Sequence, residues 1–363
     1  MFHADRLNQI NSLLNWYIVN KRDLPWRHTS DPYKIWISEI MLQQTRAEAV
    51  REYYRRFLNE VPDIYTLSEI PEDRLMKLWE GLGYYNRARN LKKAAQKVVR
   101  DFNGALPSSP KELLSLPGIG AYTAGAVSSI AFRVPVPAVD GNVLRLAARL
   151  NGDRRNILLP EVKKDVESQL AGVMSDPLFP KERSGDFNQA LIELGATLCG
   201  PDRAPGCSDC PLKDYCRANQ EKLTEELPVR IREIRRKIEN LTVLLVRDGD
   251  DTAVRRRASE GLLGGMYEFP SMSGFVSEEE ALAFVRKNGY DTLYIRRLRQ
   301  SRHLFSHIEW KMQGYEIRIA GRYGEEPDDS NDWIFASPES IRKNYALPSA
   351  FSAYEEYLKE KYI

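Results

Sequence analysis

Leu116-Pro117-Gly118-Ile119-Gly120-Ala121-Tyr122-Thr123 lies between two segments of helical periodicity, Pro110–Leu116 and Tyr122–Phe132. Its two glycines let the backbone turn sharply and come close to a ligand. The helix that follows opens with unpaired N–H groups and the positive end of its dipole, which together favour a phosphate. A proline-glycine turn between helices is a weak signal by itself, because glycine also serves there for steric reasons alone. Its weight comes from what surrounds it.

A helix–hairpin–helix of this kind grips a DNA backbone without reading base sequence. Beyond it, after Pro135 and Pro137, comes Val139-Asp140-Gly141-Asn142-Val143, a carboxylate at the mouth of another helix. Taken alone, Asp140 reads as an N-cap. Upstream, Ile35-Trp36-Ile37-Ser38-Glu39-Ile40-Met41-Leu42 is apolar nearly all round and is expected to be buried. A carboxylate there has its ionised form disfavoured, so its pKa rises toward neutrality, as a general acid requires. The plainer alternative is a Glu39 that reaches the surface or pairs with Arg46 or Arg22. The polar run Gln43-Gln44-Thr45, expected at the end of a helix Tyr33–Gln44, suggests a face that meets something polar.

The four cysteines of the chain, Cys199, Cys207, Cys210 and Cys216, all fall in one window spaced C-x7-C-x2-C-x5-C. Such gaps let four thiolates converge on one centre. An iron–sulfur cluster and a structural zinc fit the spacing equally, and two disulfides are a minor third possibility. Residues Met1–Leu14 contain no apolar signal region and include Asp5 and Arg6, so a secreted, disulfide-bonded protein is not expected.

The 363 residues suffice for about two domains. An apolar fraction of 42% and a charged fraction of 29% are ordinary for a globular chain. No apolar run approaches the length of a membrane span, so no membrane partner is expected. Net charge is only +2, yet basic residues gather at Arg230–Lys237, Arg255–Arg257 and Arg296–Arg302. Each run alone reads as a solvated face; together they suit a polyanion on one face. Residues 1–220 read as a helical domain, with further helices at Glu72–Leu82, Ala88–Phe102, Val143–Leu150, Val162–Met174 and Phe187–Leu198. The charged stretch 221–240 reads as a linker. Residues 241–363 read as an α+β domain with short strands, a helix at Glu278–Asn288 and another at Pro348–Lys361.

Together these residues resemble the helix–hairpin–helix DNA glycosylases, specifically the MutY-type adenine DNA glycosylases. The matching stretches are LPWR (Leu24–Arg27), SEIMLQQT (Ser38–Thr45), WEGLGYYNRARNL (Trp79–Leu91), LPGIGAYTAGAV (Leu116–Val127), AVDGNVLR (Ala138–Arg145), FNQALIELGA (Phe187–Ala196), the cysteine window and LFSH (Leu304–His307). They run in order along nearly the whole chain. The resemblance implies a mainly α glycosylase fold with an iron–sulfur subdomain and a Nudix-like α+β domain, and it favours a [4Fe–4S] cluster. Seven residues, Gly200–Gly206, separate the first two cysteines, one more than the family pattern carries, and Arg203 is the only basic residue among them.

The resemblance further implies removal of adenine paired with 8-oxoguanine or guanine in double-stranded DNA, after the base is flipped out of the stack. Glu39 would protonate the base, Asp140 would stabilise the sugar cation, and Tyr122 and Asn142 would position them. Arg22, Trp26, Leu42 and Gln189 match adenine-pocket positions. Gln44 and Tyr84 match residues that wedge into the duplex, while Thr45, Gly118 and Gly120 contact DNA. Phe305, Ser306 and His307 match the loop that reads the oxidised guanine. In the related endonuclease III, a lysine holds the place of Tyr122. A phenol forms no Schiff base, so a monofunctional enzyme is expected.

Gly264-Gly265-Met266-Tyr267-Glu268-Phe269-Pro270 echoes the start of a Nudix signature. The following Arg-Glu pair and metal-binding glutamates are missing, and Glu278-Glu279-Glu280 does not replace them. Competing functions are a thymine- or pyrimidine-specific relative on the same scaffold, a lesion binder without catalysis, and a Nudix hydrolase fused to a DNA-binding part. The expectation is a monomer in a bacterial cytoplasm, associated with the nucleoid.

Overall fold

The computed structural model describes residues 5–201, 205–232, 236–258, 261–322 and 333–359. Arg203 and Arg235, both singled out for their charge, lie outside the described residues, as does the end of the helix expected at Pro348–Lys361. Two compact units form. One comprises Met1–Ile70 and Arg89–Arg232, the other Pro71–Ala88 and Glu233–Ile363.

The first unit contains α1 (Arg6–Asn20), α2 (Pro32–Leu42), α3 (Ala47–Glu60) and α4 (Ile64–Glu69). After α5 (Glu72–Trp79), which belongs to the second unit, come α6 (Asn86–Asp101), α7 (Pro110–Leu113), α8 (Ala121–Phe132) and α9 (Gly141–Asn151). The series ends with α10 (Pro160–Met174), α11 (Ser184–Thr197) and α12 (Arg217–Gln220). Caps set the boundaries that matter. Asp31 accepts from the amides of Tyr33 and Lys34, with Pro32 in the first turn of α2. α8 ends at Arg133 in the left-handed region, with φ of 59°.

α3 escaped the sequence reading because its surface is so heavily charged. Val50, Tyr54 and Phe57 nevertheless recur at helical spacing and are buried. The chain leaves the helix at Leu42, so Gln43, Gln44 and Thr45 form a turn instead of continuing α2. Gln44 is exposed there at φ 58°.

A core of Ile10, Leu13, Leu14, Tyr17, Val143, Leu146, Leu170, Phe187, Leu191 and Leu194 joins α1, α9, α10 and α11, and it takes in Cys199 and Cys216. Part of the expected linker is structured within this unit. Leu223 and Leu227 are buried in that core, and the Ile157 amide donates to the Val229 carbonyl at 3.0 Å.

The second unit is built on seven strands among the described residues. These are β1 (Lys237–Asp248), β2 (Asp251–Arg256), β3 (Tyr267–Glu268), β4 (Ser271–Ser273), β5 (Tyr290–Leu304), β6 (Ile308–Arg322) and β7 (Ile334–Ala336). Their order is β3-β2-β1-β6-β5, with β4 on β1 and β7 on β2. β1 and β6 run parallel, from Lys237 opposite Ile308 to Arg247 opposite Arg318. α13 (Glu278–Lys287) covers one face. The other face carries α14 (Pro338–Asn344), α15 (Ser352–Glu355) and the short turns at Ser349–Phe351 and Glu356–Lys359. Burial on both faces explains why Val243-Leu244-Leu245-Val246 is continuously apolar instead of alternating. The helix expected at Pro348–Lys361 is broken into those short pieces, each turned to lay Phe351, Tyr354 or Leu358 on the sheet.

Residues 71–88 would fall in the helical domain by sequence order, yet they pack with the sheet. Arg256 pairs with Asp73 at 2.9 Å, Lys77 donates to the Tyr345 carbonyl at 3.1 Å, and the Leu347 amide donates to Glu80 at 2.8 Å. Helical periodicity says which face is buried but not against what.

Candidate active site

Glu39 sits in the middle of α2, whose residues from Ile35 to Met41 are all buried. Only 7% of it is exposed, and burial pushes its carboxyl up to about 7. The Tyr122 hydroxyl donates to Glu39 Oε2 at 2.8 Å and holds the pKa down somewhat, as does Arg27, whereas Asp140 pushes it further up. Neither Arg46 nor Arg22 is its partner. Tyr122 lies in the first turn of α8, which packs on α2. Burial and the two neighbouring carboxyls raise its phenol well above the ordinary range, so it acts as a neutral donor.

Asp140 is the N-cap of α9. One of its oxygens accepts from the amides of Asn142 at 2.9 Å and Val143 at 2.8 Å, and the other from Asn142 Nδ2 at 2.7 Å. Burial raises its pKa, and these three hydrogen bonds with Arg145 oppose the rise by favouring the anion. Asn142 Oδ1 in turn accepts from Arg145 at 2.8 Å. Gly195 of α11 permits this arrangement. A Cβ there would lie 2.8 Å from the Cβ and carbonyl oxygen of Asn142. Glu39, Tyr122, Asp140 and Asn142 thus form one constellation: a protonatable carboxyl, a neutral phenol and a hydrogen-bonded carboxylate.

Of the remaining expected residues, Trp26 is buried edge-on to Tyr54, with ring centroids 5.4 Å apart. Leu42 and Gln189 are half-buried. Arg22 is bound by Glu193, its Nε and Nη2 each 2.8 Å from a carboxylate oxygen. Arg27 donates to the same carboxylate at 2.5 Å. Thr45 is half-buried and its hydroxyl donates to the Gln43 carbonyl at 3.3 Å. Gly118 adopts φ +77°, and a Cβ there would lie 2.7 Å from Asn90 Cβ, whereas one at Gly120 would meet open space. α8 begins at Gly120 without a side-chain cap.

Arg27, Glu193 and Arg145 were not picked out as site residues. A signal existed for Glu193, a lone carboxylate among the buried apolar positions of α11, as Glu39 is in α2.

In the second unit, Phe305, Ser306 and His307 form the tip of the β5–β6 hairpin, closed by the Phe305 amide on the Ile308 carbonyl at 2.8 Å. Phe305 packs on His303 and Trp310, while Ser306 and His307 are exposed. Tyr84, at φ 49° and 48% exposed, brings its hydroxyl 3.2 Å from that of Ser306. The structure therefore brings together two residues that the sequence keeps far apart. Glu268 of the Nudix-like stretch is buried between Arg255, at 2.9 Å, and Arg257. Glu278 and Glu279 are exposed in the first turn of α13, and Glu280 closes a capping box with Ser277.

The four cysteines are free thiols, and all line one small cavity with Arg149, Gly206 and Lys213. Arg149 is buried and donates to Cys199 Sγ at 3.3 Å and to the Gly200 carbonyl at 2.9 Å. Arg145 donates to the carbonyls of Cys199 and Gly195 at 2.8 and 2.7 Å. A thiol set around one cavity, with a buried guanidinium at its edge, fits a group bound by thiolates. Among the described residues, no three His, Cys, Asp or Glu side chains are grouped so as to hold a metal ion.

Residues 37–172 match the HhH-GPD superfamily base excision DNA repair proteins, and residues 242–356 match the NUDIX domain. The chain is 37% identical over 318 residues to an adenine DNA glycosylase of Arabidopsis thaliana, an alignment covering 76% of this chain and 49% of that protein. It is 34% identical over 371 residues to that of Homo sapiens (86% and 67%). With that of Buchnera aphidicola subsp. Baizongia pistaciae it shares 35% identity over 302 residues (82% of each). The chain thus spans about half the length of the plant relative and most of the Buchnera one. Among solved structures, a thermostable thymine-DNA glycosylase matches with a TM-score of 0.54 at 30% identity, covering 60% of this chain and 100% of that one. A trapped endonuclease III–DNA covalent intermediate matches at 0.51 and 26%, covering 61% and 100%. Among the described residues, no helix is long and apolar enough to cross a membrane.

Proposed function

Because the chain belongs to the adenine DNA glycosylase family, we propose that it excises adenine mispaired with 8-oxoguanine, or with guanine, from double-stranded DNA and leaves an abasic site. The observation that carries this reading is the buried Glu39, its carboxyl near neutrality, sharing a site with the hydrogen-bonded Asp140. Two carboxyls with environments this different divide the labour of acid and anion.

The adenine swings out of the stack at a cost of a few kcal/mol. Arg22, Trp26, Leu42 and Gln189 receive it. Glu39 gives its proton to N7, the C1′–N9 bond breaks, and its electron pair leaves with adenine. Asp140, whose anionic form the α9 amides and Asn142 favour against the burial that raises its pKa, steadies the oxocarbenium sugar, electrostatically or through a transient covalent bond. Water then adds to C1′, and Glu39 takes its proton and is ready again. Tyr122 aligns Glu39 through its hydrogen bond. A phenol forms no imine with the sugar, so the phosphodiester chain stays intact.

Gly118, Gly120 and the uncapped start of α8 hold backbone phosphates, and Gln44 and Tyr84 fill the space the base vacates. Phe305, Ser306 and His307 read the opposite base. Cys199, Cys207, Cys210 and Cys216, which line one cavity, would hold a [4Fe–4S] cluster through their thiolates. Bound there, the cluster would fasten the loop between α11 and α12.

The test is a duplex panel with A:8-oxoguanine, A:G and G:T, treated with alkali after incubation. The G:T arm addresses the thymine-specific alternative, since a thymine-DNA glycosylase is a structural neighbour. Breaks at adenine in the first two duplexes are expected, abolished in Glu39→Gln while duplex binding persists. Breaks only at G:T, or robust borohydride trapping of a protein–DNA adduct, would overturn the reading.

A further inference from the structure

Glu193 is fully buried in α11, and its carboxylate receives four hydrogen bonds from two arginines. Arg22 supplies three, through its amide, Nε and Nη2, and Arg27 the fourth. Arg27 is fixed further by donation to the Arg22 carbonyl at 2.9 Å and by stacking over Tyr17, 5.6 Å from its ring centre. The Pro25–Arg27 turn packs on α2, the helix that carries Glu39. Arg27 is almost as buried as Glu39, with 7% of its side chain exposed. Arg22 and Arg27 together outnumber Glu193, but the Arg22 side chain is 43% exposed and also faces Glu48, so the buried positive charge that Glu193 offsets is chiefly that of Arg27.

We propose that Glu193 is a positioning residue for the acid step: it seats Arg22 and Arg27 beside the base-binding site and balances their charge, so that Glu39 keeps its proton. This inference rests on the glycosylase reading and on no further ligand. An unbalanced guanidinium in a desolvated site favours the carboxylate over the carboxylic acid. Glu39 would then be poorly protonated at the pH where the enzyme must donate. The other groups that bear on Glu39 are Tyr122 from α8 and Asp140 from the mouth of α9. α3 contributes Tyr54, which packs on Trp26. None of these touches Glu193. The carboxylate of Glu193 is itself held down to about 2 by its arginines, so it stays anionic across the working range.

The experiment measures single-turnover adenine release from an A:8-oxoguanine duplex against pH, for the full-length wild type, Glu193→Gln, Glu193→Asp and Arg27→Gln. Glu193→Gln keeps the shape and removes the charge. Its alkaline limb is expected to move down by about one pH unit, so that release above the limb falls about tenfold while the rate at acid pH changes little. Glu193→Asp should bring the limb back toward wild type. Arg27→Gln should move it the opposite way. A merely structural role would lower the thermal midpoint and leave the limb in place, and a limb unmoved in both charge-removing variants overturns the proposal. If Glu193→Gln does not melt cooperatively, Arg27→Gln alone decides. Absence of adenine release by the wild type would defeat the proposed function instead, so the two failures are distinguishable.

Discussion

A carboxyl forced up to about 7 is a destabilising feature, and its cost has a definite pH dependence. The ordinary value is 4.5, so folded and unfolded chains are both protonated below it and both ionised above about 7. Folding stability is therefore lost as pH rises between those values and stays reduced above them. Glu39→Gln should stabilise the protein by up to about 3 kcal/mol at alkaline pH and by almost nothing in mild acid. Its amide oxygen still accepts from Tyr122. Urea unfolding at the two pH values checks this, and a gain of equal size at both would contradict the assignment. In the wild type, adenine release should fall about tenfold per pH unit above the Glu39 limb, and on the acid side as Asp140 becomes protonated. Glu39 was legible in the sequence because one carboxylate stood in an apolar helix. The Arg22–Glu193 and Arg27–Glu193 pairs were not, since their members are 171 and 166 residues apart and no local pattern couples them.

At the scale of elements, the hairpin before α8 separates two uses of glycine. Gly118 is needed for the fold: its positive φ and the nearby Asn90 make Gly118→Ala cost about 1–3 kcal/mol, seen as a lowered thermal midpoint. Gly120 has ordinary φ and open space around its α-carbon, so Gly120→Ala should melt like the wild type while binding duplex more weakly. Equal affinity of Gly120→Ala for duplex would remove the phosphate contact assigned to this turn. The helices that build the candidate site, α2, α8, α9 and α11, were readable from periodicity, and α9 also from its cap Asp140. What periodicity could not supply was the exit at Leu42, where Gln43 to Thr45 become a turn. The two-residue β3 and three-residue β4 are likewise too short to leave a periodic trace.

For the molecule as a whole, the cysteine window gives an expectation in atoms: about four irons per chain, with a brown absorbance lost on Cys210→Ser. One zinc per chain would instead choose the other metal reading. The second expectation concerns the domain division. A chain ending at Arg232 lacks the partners of Asp73, Lys77 and Glu80, so amide exchange across residues 72–82 should quicken relative to full length. Unchanged protection there would mean that α5 is held without the sheet. The change of texture near residue 220 precedes Glu233, where the second unit resumes. It could not signal that an earlier stretch is lent to it, because α5 has the same amphipathic composition as its neighbours.

That loan bears on how such proteins can be recombined. A chimaera that swaps everything after Arg232 with a relative's counterpart would still carry the recipient's own 71–88, so foreign strands would confront a helix shaped for different ones. Faithful grafting needs three crossovers, one on each side of 71–88 and one after Arg232, with Tyr84 travelling alongside Ser306. Heredity faces the same constraint: substitutions at Tyr84 and at the hairpin tip should be tolerated as matched pairs more readily than singly.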